Sequence, residues 1–463
     1  MRCYESLIRH EGNSALFTAL EISIVSTLAG RPLHVHAEGV RGTGKTTIMR
    51  AAAGILPEIE RIAGCPHNCK PWAPHCPEHR TAKDASGCRK SEWVPMPFLE
   101  ISHSAKLGTV VGSIDLSRIM AQARPEAALL LGTIPRANRG IIFTDEVNRL
   151  ADTSPELTDV LLDAMGTKPG RVQIEESGLP VVTVPVELSV WAASNPDEDP
   201  GPLEDVRRQL SDRFDLSVEM GRTGQASVIR QILDFDDFMP SGGEVDDKHE
   251  TPTDSPVLRR TAAAALLVPE VLIPNELLDC IASLYVDFDI ESIRALEASR
   301  TAARCRAALT GRTCVSYADL RCVLPMVLRH RVDTAQFANI LRYLDSMSER
   351  CIEPRQSGPV RSFAEICSQT GKGGADGAGC DGSHDAGFRA VLKGLIDRVR
   401  ADQAIPPGAE GGAGGKGGPL LGGASSGQAP SGSEQVQAVC PKGLATPISQ
   451  VQPCAVFGEE DLA

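Results

Sequence analysis

The segment Gly39-Val40-Arg41-Gly42-Thr43-Gly44-Lys45-Thr46, followed by Thr47, fits the pattern G-x-x-x-x-G-K-[ST]. Its chemistry is nucleotide binding. Closely spaced glycines let backbone N–H groups turn towards phosphates, Lys45 can reach the β and γ oxygens, and the Thr46 hydroxyl is a ligand for Mg²⁺. Asp145 and Glu146 end the apolar run GIIFT. Asp145 is expected to hold the Mg²⁺ through water, and Glu146 to orient or deprotonate the attacking water. Asn195, at the end of LSVWAAS, either orients the same water or caps the turn Asn195-Pro196-Asp197. The cofactors this set calls for are ATP and Mg²⁺.

A second cluster suits different chemistry. Cys65, Cys69, Cys76 and His79 follow the spacing C-x3-C-x6-C-x2-H, with His67, His75 and Cys88 nearby and prolines at 66, 71, 74 and 77. Thiolates and an imidazole in so short a loop can wrap a tetrahedral ion, and Zn²⁺ is the leading candidate. A redox-active thiol pair, an iron–sulfur cluster and unliganded thiols are the alternatives. Fourteen cysteines in a long chain without a basic-then-apolar leader read as reduced thiols rather than as a disulfide framework. The cytoplasm, or the plastid stroma in a photosynthetic eukaryote, is the expected compartment.

The elements that must position these residues are legible from periodicity. Residues 12–30 predict a helix, with Leu16, Leu20, Ile24 and Leu28 every four residues and Gly30-Arg31-Pro32 as the stop. LHVHAEGV predicts a strand running into the glycine-rich turn, and TTIMRAAAGIL a helix leaving it, so this is an α/β unit. GIIFTDEV and LSVWAASN predict two more buried parallel strands whose carboxyl ends face a ligand. Between them, alternation on both sides of Gly178-Leu179-Pro180 predicts a protruding hairpin. Helical periodicity then takes over from about residue 225. Eleven of the 43 glycines fall in residues 408–432, a composition too flexible for a core, although FRAVLKGLIDRV from Phe388 suggests one amphipathic helix.

A length of 463 residues excludes a single small module, and the net charge of −13 argues against broad binding to nucleic acid or to an anionic membrane. No membrane span is expected, because runs such as TAAAALLVPEVLI from Thr261 are broken short of about 20 apolar residues.

RGTGKTT, VVGSIDL (from Val110), RANRGIIFTDEVNRL (from Arg136), VLLDAM (from Val160), the SNP turn and LSDRFDLSVEM (from Leu210) resemble the AAA+ ATPase subunit of magnesium chelatase, the I subunit. The resemblance covers roughly residues 10–335 and runs on through IESIRALEASRTAARCRAALTGR and VLPMVLRHR, which resemble the lid of that family. It implies an AAA+ phosphate-loop core over 1–225 carrying the Cys/His-rich insertion at 65–88, a linker over 226–262, an all-helical lid over 263–350 and a largely disordered tail over 351–463. It further implies a homo-oligomer, a hexameric ring with ATP between subunits. Arg213 falls on the finger that reaches the neighbouring site, with Arg207 and Arg208 as alternates, and Arg294 falls on the lid's sensor arginine. The implied partners are larger chelatase subunits, one of them with an integrin-like domain, and the implied activity is ATP hydrolysis coupled to Mg²⁺ insertion into protoporphyrin IX. A cobalt chelatase-like motor and a MoxR-like maturation factor share the same ATP site. A DNA-remodelling motor would carry Lys or Arg at the hairpin tip, where Gly178-Leu179-Pro180 has none.

Overall fold

The computed structural model describes residues 3–81, 90–114, 129–175, 181–236 and 255–350. The hairpin tip, Cys88, residues 237–254 of the acidic, Pro/Gly-containing break predicted at 234–256, the suggested helix from Phe388 and the whole tail lie outside the described residues. The first long helix, Ser14–Leu28, is buried almost all round rather than on one face. Its hydroxyls make this possible. Ser23 Oγ donates to Leu33 O (2.6 Å) and accepts from Trp191 Nε1 (2.9 Å), while Thr27 and Ser189 share a hydrogen bond of 2.6 Å. Every hydroxyl so paired removes the penalty of burying it.

Strand β1 (Val35–Glu38) leads into the glycine-rich turn. β2 (Glu58–Ile62) and β3 (Ser91–Pro95) pair antiparallel as the stem of the cysteine-rich insertion. β4 (Phe98–Glu100) returns to the main sheet, and β5 (Gly112–Ile114) pairs with β6 (Leu129–Leu131). β7 (Ile141–Thr144) precedes the acidic pair. The expected hairpin is β8 (Gly170–Ile174) with β9 (Val182–Val186), antiparallel, and β10 (Ser189–Ser194) and β11 (Leu216–Glu219) complete the set. The main sheet has the order β11-β1-β10-β7-β4 and every pairing in it is parallel. Parallel strands covered on both faces are mostly apolar, and Ile141–Thr144 and Ser189–Ser194 are fully buried along their length, the Ser189 and Ser194 hydroxyls being paired with Thr27 and His36. All their carboxyl ends lie on one edge, which is where the phosphate loop and the acidic pair emerge.

The helical portion comprises Pro256–Leu267, Asn275–Asp287, Ile293–Leu309, Tyr317–Leu328 and Thr334–Arg350. Ala295, Ala298, Ala302 and Ala303 are closed from solvent, so the third helix packs through small side chains at close range. Ser316 and Asp319 form a reciprocal cap at the start of the fourth, and Arg312 grips the same carboxylate at 2.6 and 2.9 Å. Buried Glu21 ties the two portions together, accepting from Arg9 and Arg260 at 2.7 Å each. The fold class is therefore α/β with an appended helical lid, as expected. No helix among the described residues is long and apolar enough to cross a membrane.

The opposite, amino-end edge of the sheet is rich in buried charge. Asp215 accepts from the His34 backbone N–H at 2.9 Å and pairs with Lys168 at 3.3 Å. Its carboxyl lies below the usual range: burial opposes this, and Lys168 and His34 outweigh it. Burial pushes His34 down to about 3, with Lys168, Arg294 and Arg213 adding to it against Asp215, and pushes His36 down to about 4. His330, also buried, is driven well below its ordinary value. Unfolding frees all three to take protons near pH 6.5, so the unfolded chain binds more protons than the folded one below that pH. Stability is thus highest above about pH 6.5 and declines as pH falls towards the folded values, by up to about 1.4 kcal/mol per pH unit for each histidine. Urea midpoints measured between pH 7.5 and 5 are expected to fall steadily. A flat profile over that range would show that these rings protonate in place.

Candidate active site

Three glycines set the shape of the phosphate loop. Gly42 and Gly44 have φ of 77° and 86°, the left-handed region that other residues enter at a cost, and Gly44 caps the helix Lys45–Ala51. Gly39 is held by closeness instead, since a Cβ there would lie 2.8 Å from Met220 O. Lys45 is buried, and its Nζ folds back over the loop to donate to the carbonyls of Gly39 and Val40, the latter at 2.9 Å. Burial lowers its pKa while Asp145, Glu198 and Glu38 pull it up. Thr46 Oγ1 donates to Asp145 Oδ1 at 3.2 Å, so the hydroxyl and the carboxylate converge on one point at the carboxyl edge of the sheet. That donor set, one hydroxyl and one carboxylate beside a loop of N–H groups, fits Mg²⁺ bound with a nucleoside triphosphate.

Glu146 occupies the left-handed region at φ 50° and heads the helix Val147–Thr153. Such a conformation costs about 1–3 kcal/mol in a residue with a side chain and persists where the surroundings enforce it. Here the Glu146 N–H is tied to Asp145 Oδ1 at 3.1 Å, and the carboxylate reaches Arg149 at 3.2 Å. Asn195 sits where β10 ends, next to the start of the loop, as the Gly39 N–H donates to Ser194 O at 3.3 Å. Its Oδ1 accepts from the Asp197 N–H at 3.2 Å and its amide donates to Glu198, so it caps its own turn. Glu198 also pairs with Arg41, which couples that turn to the phosphate loop.

Lys45, Thr46, Asp145, Glu146 and Asn195 are thus brought to one edge, whereas Arg213 and Arg294 are not. Arg294 donates to Met165 O (3.1 Å) and Gly166 O (2.7 Å), and a Cβ on Gly166 would lie 3.7 Å from Arg213 Nη1. Burial, and then the charge of Arg294, lowers the pKa of Arg213. Both arginines lie close enough to His34, just ahead of β1, for their charge to act on it, whereas the phosphate loop follows the other end of that strand. Arg207 is engaged by Asp159, and Arg208 is exposed. Ser292, where the lid of the family that this chain resembles has a glycine before its sensor arginine, has φ −105°, a conformation that needs no glycine. The lid holds the Arg213 segment from the other side: Arg331 Nη2 donates to Asp212 O (2.9 Å) and Phe214 O (2.8 Å), and His330 Nε2 to Phe214 O (2.9 Å).

Two features of the site escape a reading of motifs. A cleft of about 580 Å³ opens beside the loop, lined by Gly42, Gly44 and Ile48, by Ile8 and His10 ahead of the first helix, and by Ile229. Residues 3–13 have no periodicity to announce them. Arg50 stands between Glu100 (2.9 Å) and Asp145 (3.8 Å), a bridge from β4 to the acidic pair that only the sheet order reveals.

Residues 279–345 match a family model described as the AAA lid domain. The magnesium-chelatase 38 kDa subunit of Acidiphilium rubrum is 34% identical over 325 residues, which is 69% of this chain and 89% of that protein. The subunit of the same name from Rhodobacter capsulatus is 31% identical over 64% of this chain and 79% of its own length. The chloroplastic ChlI subunit of Chlamydomonas reinhardtii is 28% identical over 71% of this chain and 76% of its own length. A phosphate loop, an acidic pair in register with it and a lid of this type, carried by a chain that is 34% identical to one of these proteins over 69% of its length, make this chain a member of the magnesium-chelatase I-subunit family of AAA+ ATPases.

Proposed function

We propose that this chain is the ATP-hydrolysing motor subunit of a magnesium chelatase, working as a hexameric ring with larger partner subunits, one of them with an integrin-like domain, to drive Mg²⁺ into protoporphyrin IX. The observation that carries the ATPase reading is the 3.2 Å contact between Thr46 and Asp145 beside the phosphate loop. ATP supplies the phosphoryl bond that is cleaved. Backbone N–H groups of residues 42–47 and Lys45 Nζ would bind its phosphates, and the cleft lined by Ile8, His10 and Ile229 would take the nucleoside. Thr46 Oγ1 and Asp145 would hold the cation. Glu146 accepts a proton from the attacking water at its carboxylate, and Asn195 orients that water after its amide leaves Glu198. Arg213 and Arg294 both lie at the edge away from their own loop, so they serve a neighbour's phosphates, and one subunit alone is an incomplete catalyst.

Purified full-length chain, mixed with large magnesium-chelatase subunits, ATP, Mg²⁺ and protoporphyrin IX, is expected to give the fluorescence of the magnesium porphyrin. Cobalt insertion into a corrinoid without magnesium insertion would replace the chelatase assignment by the cobalt one. ATP hydrolysis with neither insertion would move the assignment to a maturation factor.

A further inference from the structure

The insertion between β2 and β3 gathers its thiols where no catalytic role reaches. Cys65, Cys69 and Cys76 are closed from solvent, and one ligand atom from each of them and from His79 lies within 4.8 Å of all the others. The Sγ atoms of Cys65 and Cys76 are 4.0 Å apart, far from a disulfide bond and near the roughly 3.8 Å that two sulfurs at about 2.3 Å from a tetrahedral Zn²⁺ would show. His79 is one helical turn beyond Cys76, and its Nδ1 is 3.0 Å from that sulfur. Gly64 (φ 71°) and Asn68 (φ 52°), each just before a cysteine, curl the backbone so that Cys65 and Cys69 point inward.

The Cys69 sulfur is surrounded by donors. It accepts the backbone N–H groups of His75 (3.4 Å) and Cys76 (3.3 Å), and His75 Nδ1 lies 3.4 Å away. The tautomer of His75 follows from its other side. Asn138 Oδ1 accepts from the Glu187 N–H at 2.8 Å, which fixes the amide so that Nδ2 faces His67 O (2.8 Å) and His75 Nε2 (3.3 Å). A nitrogen that accepts at Nε2 carries its proton on Nδ1, so His75 donates to the sulfur and is not itself a ligand. Asn138 stands at the entry to β7, and Asn68 Nδ2 returns the contact to Arg136 O (3.0 Å) and Asn138 O (3.2 Å).

We infer that Cys65, Cys69, Cys76 and His79 form a structural Zn²⁺ site, and that His75, oriented by Asn138, positions the Cys69 thiolate and links the site to the turn that starts the acidic strand. The metal contributes the energy that orders this proline-rich loop. It stands apart from the nucleotide, since β7 enters the sheet at one edge and delivers Asp145 at the other.

The test uses the reduced full-length chain. Elemental analysis is expected to give about one zinc per chain, and titration of metal-free chain with Co²⁺ alone should give the intense thiolate charge-transfer and d–d bands of a tetrahedral, sulfur-rich site. Cys76→Ser should lose the metal, while Cys314→Ser, at an exposed thiol elsewhere, keeps it. His75→Phe should keep one equivalent yet bind it about 10–100-fold more weakly against a chromophoric chelator, with His75→Gln, which restores an N–H donor, recovering most of that loss. If Cys76→Ser does not fold, the Co²⁺ spectrum of the parent chain still decides the ligand set. No zinc after reduction and titration, iron with acid-labile sulfide, or a cobalt spectrum without thiolate bands would overturn the site. Unchanged affinity in His75→Phe would overturn the role of His75.

Discussion

Replacing Glu146 by Gln is expected to slow ATP turnover by about 10²- to 10⁴-fold, the scale of a lost general base, while ATP affinity stays within about threefold. The amide is isosteric, and it leaves the Glu146 N–H on Asp145 in place, so the left-handed turn and the cation ligands are undisturbed. What disappears is the acceptor for the water's proton. Lys45→Ala should do the opposite and fail at binding, because on the proposed reading Nζ leaves the carbonyls of Gly39 and Val40 for the phosphates. Nucleotide titrations and single-turnover hydrolysis on both variants separate the two. If Glu146→Gln lost affinity as severely as Lys45→Ala, its assignment as the base would be wrong.

The second large effect concerns the arginines at the far edge. Arg213→Ala is expected to reduce turnover about 10³- to 10⁵-fold, as for other arginines supplied to a phosphoryl transfer, with little change in ATP affinity of the separate chain. Neither this variant nor Lys45→Ala should hydrolyse ATP on its own. Mixed in equal amounts, they place some intact loops opposite some intact Arg213 side chains, and activity should reappear. Mixed rings of confirmed size that stay inactive would show that Arg213 does not cross the interface. The same experiment with Arg294→Ala asks whether the lid arginine, beside Arg213 on the carbonyls of Met165 and Gly166, crosses with it.

The parts of the fold legible in the sequence are those with a local cause. The central strands are short apolar runs because parallel strands are covered on both faces, and the glycines of 39–44 are there because backbone conformation and close approach require them. The Ser14–Leu28 helix was visible by period, but not its burial, which depends on Trp191 and Ser189 supplying partners to its hydroxyls. Metal-ligand spacing exposed four residues of the insertion; the contact between His75 and Asn138 joins residues 63 apart and leaves no local pattern. Asn195 illustrates the limit most clearly. Its place at the end of β10 is local, whereas its partner Glu198 and the tie to Arg41 arise only when β1 and β10 lie side by side.

The grip of Arg331 and His330 on the carbonyls of Asp212 and Phe214 has a mechanical meaning, since those two residues flank Arg213 on both sides. A lid that swung on its own would have to break these bonds, and the Arg294 contacts with them, before it moved a degree. The helical portion and the Arg213 segment are therefore tied as a single crank. On the proposed ring reading, a movement of the helical portion would carry Arg213 with it towards the neighbouring subunit.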